Sequence, residues 1–438
     1  MPFIIPFMDP AQLGGRKGCA ITHYLIQLFH FIYSTGDLPN NTPHSVILAL
    51  VDWSKGFNRL DHNLLVTLLS DYNVPGWLLR IIISYLTERR LVVRHKGYSS
   101  TEQAMPGGSP QGTLLGVLFF LVMVNQAGWP KQQLQQQQTC TSTDLSLNRP
   151  VPQQIPEING DSGIRLKWID DLTQGVRLNL KQALCSDFNR WPTRDYHERF
   201  GLVLPPQNNP LQEQIDQLSE FTDSHLMKLN KKKTKIFPFN FSKTRDFIPA
   251  VSIPGESEPL EVVYQTKLLG VICTSDSKWA ENTSYIVKKA ASKLWMVRRL
   301  KWMGADEHIL HEMYILHIRT VLEFAAPLWH SSLTVSDQNR IERVQKMAFS
   351  IILGPAYTNY DVALTLLEEE TLLNRRKQLC LNFASKSSKD PQHSHMFPAT
   401  NPNRPVTRNR KKFHETKCRT MRLYKSAIPY LIRLLNEQ

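Results

Sequence analysis

Nine residues, Ser45 to Trp53 (SVILALVDW), constrain this chain more than any others. The run is apolar almost without a break, so it reads as a strand buried on both faces rather than one with a wet side. Its one carboxylate, Asp52, stands at the strand's exit and so faces a cleft. A length of 438 residues with 42% hydrophobic composition supplies ample core to bury such a strand. At roughly 150 residues per domain, that length predicts about three domains.

The flanking segments alternate between helix and strand patterning. Leu60, Leu64, Leu65, Leu68 and Leu69 follow helical spacing up to Pro75, and Trp77 to Thr87 predicts a second helix. Leu91 to His95 and Tyr98 to Gln103, joined at Lys96-Gly97, predict a hairpin closed by the Gly-rich turn from Pro106 to Gly112. Thr113 to Asn125 is apolar all round, the pattern of a helix buried inside a domain. Residues 130–162 are Gln-rich, then Ser/Thr/Pro-rich and aperiodic, which predicts an exposed, irregular insertion. Ile164 to Trp168 and Leu172 to Leu178 predict a hairpin with Asp170 and Asp171 at its tip. Leu211, Ile215, Leu218, Phe221, His225 and Leu229 mark an amphipathic helix that leads into the basic run Lys231 to Lys235 and a strand from Ile236 to Phe239. Helical periodicity then dominates from Trp279 to Ser385, and a tail rich in Pro, His and Arg precedes a short apolar helix from Ala427 to Leu435.

Charge and cysteine usage narrow the function classes. Basic residues outnumber acidic ones by 52 to 38, a net charge of +14 that favours a polyanionic partner, nucleic acid before membrane. The six cysteines form no CxxC and no close Cys/His pairing, which argues against structural zinc and a disulfide framework and predicts a reducing, intracellular compartment, nucleus or cytoplasm. The apolar N-terminus carries Pro2, Pro6 and Pro10 and no basic segment, so it does not read as a signal peptide. The run Leu114 to Val124 falls short of the roughly 20 residues a spanning helix needs, so no membrane partner is expected.

Asp52 and the Asp170-Asp171 pair are the acids that an apolar frame would push into one cleft. Carboxylates crowded into a low-dielectric site share a proton or hold a hard cation, and Mg²⁺ prefers a few carboxylates together with substrate phosphates. Two such ions suit nucleotidyl transfer. The plainer alternative is that Asp52 caps a turn and that Asp170-Asp171 belongs to an exposed hairpin.

Several segments, in order, bear on that choice: Gln12 to Gly18 (QLGGRKG), Val51 to His62 (VDWSKGFNRLDH), Gly107 to Gly116 (GGSPQGTLLG) and Lys167 to Thr173 (KWIDDLT). Leu229 to Lys235 (LNKKKTK), Lys267 to Val271 (KLLGV), Leu322 to His330 (LEFAAPLWH) and Arg340 to Lys346 (RIERVQK) continue the series. Through them the chain resembles the reverse transcriptases of non-LTR (LINE-type, jockey-like) retrotransposons, over most of residues 12 to 435.

The resemblance implies an α+β fold: a right-hand polymerase palm with partial fingers, a helical thumb and a helical C-terminal extension. The corresponding boundaries are 1–44 for the partial fingers, 45–275 for palm and fingers, 276–350 for the thumb and 351–438 for the extension with its basic tail. It makes Asp52, Asp170 and Asp171 the catalytic ligands of two Mg²⁺ ions, with Mn²⁺ as a substitute. It places Phe57 where an aromatic blocks a ribose 2′-hydroxyl, Gln111 against the template–nucleotide pair and Lys235 near the incoming triphosphate. Leu269 and Gly270 take the place of the primer grip. Arg16, Lys17, Arg408, Arg410, Lys411 and Lys412 are candidate nucleic-acid contacts. The implied partners are an RNA template, a DNA primer or target, dNTPs, and a separate endonuclease or RNA-binding chain of the same element. Simpler readings stand beside these roles: Phe57 as a core aromatic, Gln111 as a turn residue, Lys235 within a solvated run, Gly270 as a tight turn, and the tail as solvated chain.

The sequence departs from the family pattern at Asn58, where aspartate is usual, and at Gly56, where alanine is usual. The chain starts just before the GGRKG segment, without most of the fingers and without an upstream endonuclease, as a 5′-truncated or decaying copy would. The expected function is RNA-directed DNA polymerisation, and the alternative is a catalytically silent nucleic-acid-binding remnant. A helical protein-interaction module spanning 279–385 would leave the acids without a role.

Overall fold

The computed structural model describes residues 4, 8, 18–37, 45–54, 56–105, 107–109, 113–125, 183–187, 210–225, 227–241, 248–400 and 411–438. The apolar run forms β1 (Ser45–Leu50), and Val46 through Val51 are each at most 1% exposed. Alternation explains why no polar face survives. Val46, Leu48 and Leu50 enter one core and Ile47, Ala49 and Val51 another, so both faces of the pleat are covered. Burying each of the Val, Ile and Leu side chains contributes about 1.5–3 kcal/mol.

The remaining strands follow in chain order. Four two-residue strands, β2 (Arg90–Leu91), β3 (Arg94–His95), β4 (Tyr98–Ser99) and β5 (Gln103–Ala104), pair antiparallel as β2–β5 and β3–β4. The expected Lys96-Gly97 turn joins β3 to β4, both residues having positive φ (47° and 86°) as such a tight turn requires. The main sheet adds β6 (Ala183–Asp187), β7 (Lys235–Asn240) and β8 (Glu261–Val262) in the order β6-β1-β7-β8. Here β1 runs antiparallel to both neighbours and β8 parallel to β7. A last hairpin, β9 (Gln265–Leu268) and β10 (Val271–Thr274), leads into the helical part.

Helices α1 (Ile21–Thr35), α2 (His62–Asp71), α3 (Gly76–Leu86), α4 (Leu114–Asn125) and α5 (Pro210–Ser224) belong to the first part of the chain. The all-round hydrophobicity of α4 has a direct cause: Phe120 and Val124 join the core under β1, while Leu118, Phe119, Leu121, Val122 and Met123 fill a third core with α2 and α3. The expected helix through Leu229 stops at Ser224 instead, because Leu229 pairs with Trp53 beyond the end of β1. The predicted insertion at 130–162 and the predicted hairpin at 164–178 lie outside the described residues. β6, which the sequence reading did not anticipate, occupies the far edge of the sheet.

The second half is helical, as expected: α6 (Ala280–Ala291), α7 (Leu294–Trp302), α8 (Glu307–Met313), a π-helical segment Tyr314–Arg319, α9 (Thr320–Glu323), α10 (Ala326–Trp329), α11 (Val335–Leu353), α12 (Tyr360–Leu366), α13 (Leu372–Lys389), α14 (Met421–Tyr424) and α15 (Ala427–Asn436). A single apolar core runs through α1, β1, β7 and these helices, with no break at residue 350. No helix among the described residues is long and apolar enough to cross a membrane.

The segment after α1 is clasped to the segment before α14 by Asp37, 8% exposed, just beyond α1. Its carboxylate accepts the backbone N–H groups of Arg419 (2.8 Å) and Thr420 (2.5 Å), and Thr420 in turn caps α14 by accepting from Leu423 N–H. Hydrogen bonds to a charged acceptor contribute about 1.5–3 kcal/mol. Asp37→Ala is therefore expected to lower unfolding free energy by about 1–3 kcal/mol in urea titrations, with Asp37→Asn intermediate. An unchanged midpoint for both variants would show that the clasp adds nothing.

Candidate active site

Asp52 follows β1 by two residues, and the backbone around it is held from the β7 side. Asn230 N–H donates to the Asp52 carbonyl at 2.8 Å, and Ser54 N–H to the Lys228 carbonyl at 2.7 Å. Residues 230–234 then turn tightly: Lys233 and Thr234 N–H both donate to the Asn230 carbonyl, and Thr234, fully buried, accepts Asp52 N–H on Oγ1 at 3.4 Å. The acid is thus fixed by the LNKKKTK turn, whose short polar residues satisfy the strand's last backbone groups.

Asp52 is 8% exposed. Its Oδ2 is buried without a hydrogen bond, and Lys233 Nζ stands 3.4 Å from it as an ion-pair partner lacking hydrogen-bond alignment. Lys233 is mostly exposed, so this pair is worth little for folding. A buried carboxylate oxygen with free lone pairs is what a cation ligand needs, and one cannot stay there without some positive charge nearby.

Further along the chain from Asp52, the loop 56–61 is packed down by two aromatic rings and a glycine turn. Phe57 stacks on Phe120, centroids 4.8 Å apart and planes at 22°, which gives it a packing role at the edge of the core. At Gly56 a Cβ would stand 2.6 Å from Phe120 Cε2, so with Phe120 in this position alanine does not fit. Gly108 has φ +74°, and a Cβ there would meet the Asn58 carbonyl oxygen at 2.9 Å. That close approach lets Ser109 N–H reach the Phe57 carbonyl (2.8 Å) and Gly108 N–H the Leu60 carbonyl (3.0 Å). His62 Nε2 and Arg89 Nη1 both donate to the Gly108 carbonyl, at 2.8 and 3.1 Å. Burial pushes the His62 pKa down, which keeps the ring neutral.

The basic run is partly neutralised in a way the sequence reading missed. Lys235, beside Leu50 in the sheet register, is ion-paired with Glu261 of β8, and Lys231 with Glu256 (3.2 Å) and Glu258 (3.7 Å). Lys233 and Thr234 carry no role in the sequence reading, although their place in the LNKKKTK turn is the available signal. In the β9–β10 hairpin Leu269 and Gly270 both take positive φ, 47° and 94°, and a Cβ on Gly270 would stand 2.9 Å from Phe324 Cε1. What approaches that turn closely is therefore the Phe324 ring. Lys411 pairs with Glu415 at 2.6 Å, and Lys412 lies over Phe413, whose burial fixes this part of the tail.

Asp170, Asp171, Gln111, Arg16, Lys17, Arg408 and Arg410 lie outside the described residues. Among the described residues no three of His, Cys, Asp and Glu gather as a metal-holding set. A scan against protein-family models finds no family that matches this chain, and a search of curated proteins finds no matching relative.

Proposed function

We propose that this chain is the reverse transcriptase part of a non-LTR retrotransposon, an RNA-directed DNA polymerase working inside the cell, in nucleus or cytoplasm. The observation that carries the reading is Asp52: a buried carboxylate with an unbonded oxygen, at the exit of a central strand, inside the segment whose motif nominates it. Asp52, with Asp170 and Asp171, would hold two Mg²⁺ ions or Mn²⁺. When bound, these would favour attack by the primer 3′-hydroxyl on the α-phosphorus of a dNTP and offset the charge on the departing pyrophosphate. The chain's own groups do the positioning. Thr234 and Asn230 fix the Asp52 backbone, the Phe57 ring limits space beside the sugar, Gln111 meets the template–nucleotide pair, and Lys235 is the nearby cation for a triphosphate once released from Glu261. Leu269 and Gly270 would steady the primer, while Arg16, Lys17, Arg408, Arg410, Lys411 and Lys412 track phosphates of template RNA and target DNA. A separate chain of the same element would supply nicking or further RNA binding.

The second reading, a silent nucleic-acid-binding remnant, is favoured by the ion pairs that engage Lys233 with Asp52 and Lys235 with Glu261. Incubation of the full chain with a primed RNA template, four dNTPs and Mg²⁺ separates the two. Template-directed incorporation that a chelator abolishes supports the polymerase. Its absence alongside oligonucleotide binding whose log Kd rises linearly with log salt concentration supports the remnant.

A further inference from the structure

Helix α7 carries a surface that neither the Asp52 site nor the basic tail accounts for. Leu294 and Val297 are its buried positions, and the opposite face presents Trp295, Arg298, Arg299 and Trp302, spaced i, i+3, i+4 and i+7. Trp295 is 65% exposed and Trp302 75%. The Arg299 guanidinium lies 4.3 Å from the Trp302 ring centroid, and on the preceding helix, α6, the Tyr285 ring has Lys267 at 4.8 Å and Lys289 at 5.8 Å. Residues 279–302 hold six basic side chains against the single acid Glu281. One exposed tryptophan needs no explanation, whereas two sharing a helix face with two arginines do.

We infer that this face binds single-stranded nucleic acid, bases stacking on Trp295 and Trp302 and phosphates meeting Arg298 and Arg299. The rings lie about 10.5 Å apart along the helix at 1.5 Å rise per residue, so each can take a different base with the cations between them. Stacking of this kind is indifferent to sequence, because every base has a π-face. A duplex offers fewer free base faces, so unpaired strands are preferred. A membrane surface fits poorly. An interfacial helix keeps apolar and basic residues on opposite faces, and here the two alternate on one.

The inference does not depend on chemistry at Asp52, since binding is read without metal or dNTP. Fluorescence anisotropy of a labelled oligothymidylate, with the full chain, tests it. The W295A/W302A double variant is expected to bind about 100-fold more weakly, near tenfold per ring, while W295F/W302F stays within about threefold because a π-face remains. The same double variant is expected to lose less affinity for the matching duplex than for the single strand. Both positions are exposed, so thermal midpoints of the variants should match the native one. Native-like oligonucleotide binding by the alanine double variant overturns the inference, as does an equal loss of duplex and single-strand affinity in that variant. Loss of binding to phosphatidylserine vesicles with oligonucleotide binding unchanged would assign the face to a membrane instead.

Discussion

Asp52→Asn is expected to lower metal-dependent primer extension by about 10³-fold or more, a loss of about 4 kcal/mol in transition-state stabilisation. The substitution keeps shape and removes one negative charge where solvent cannot replace it, since the residue is only 8% exposed and Oδ2 has no hydrogen bond to redistribute. Folding should change little, because the charge lost was paired with an exposed lysine across 3.4 Å. Activity and stability are thereby separable, and a melting curve measured beside the extension assay distinguishes loss of chemistry from loss of fold. Lys233→Gln gives the complementary result: if Lys233 competes with cations for Oδ2, extension should need less Mg²⁺ in that variant. Equal extension by native protein and Asp52→Asn would remove Asp52 from catalysis.

The parts of the fold that were legible in sequence are those where one local rule had no competitor. The strand after Ser45 was legible because every side chain from Val46 to Val51 is buried, and α4 because two cores claim it from opposite sides. The turns at Lys96-Gly97 and Leu269-Gly270 were legible because each holds a glycine, which takes positive φ without strain. Long-range partners were not. Leu229 continues the helical period of α5, but Trp53 takes it into a β-bridge, and tertiary pairing overrides periodicity there. The acids that meet the lysine run, Glu256, Glu258 and Glu261, lie some 25 residues further on and carry no local signal. Nothing in the basic tail, whether a nucleic-acid track or solvated chain, announces that Phe413 is buried against Phe397, and nothing in residues 18–37 announces that α1 packs with α10, α14 and α15. At the site, the position of Asp52 was legible from the strand exit, whereas its Lys233 partner required the turn geometry.

Stability is expected to fall steeply as pH drops from about 6.5 towards 4, ahead of the range where carboxylates titrate. Three histidines set this window, because burial is the leading cause that lowers His23, His30 and His330 each to a pKa of about 4. At His23, Nδ1 accepts Ala20 N–H at 3.0 Å, so Nε2 carries the proton and donates to Ser387 at 3.1 Å; the His393 ring stacked 3.9 Å away also lowers its pKa, while Asp390 pulls it up. Protonating Nδ1 would break that contact and bring a charge against a second imidazole. Beside His330 lie Arg376, fully buried, and Lys377, and both repel an imidazolium. In each case the folded pKa lies below the unfolded one, so between the two values the unfolded chain binds more protons. The stabilisation is therefore complete above about pH 6.5 and is lost as the pH falls. Each histidine contributes at most about 1.4 kcal/mol per pH unit, and three together about 4 near pH 5, as an upper bound. Urea midpoints at pH 7, 6 and 5 read the slope directly, and His330→Gln should reduce it by about a third. A midpoint that stays level down to pH 4.5 would mean that these rings accept protons without unfolding the core around them.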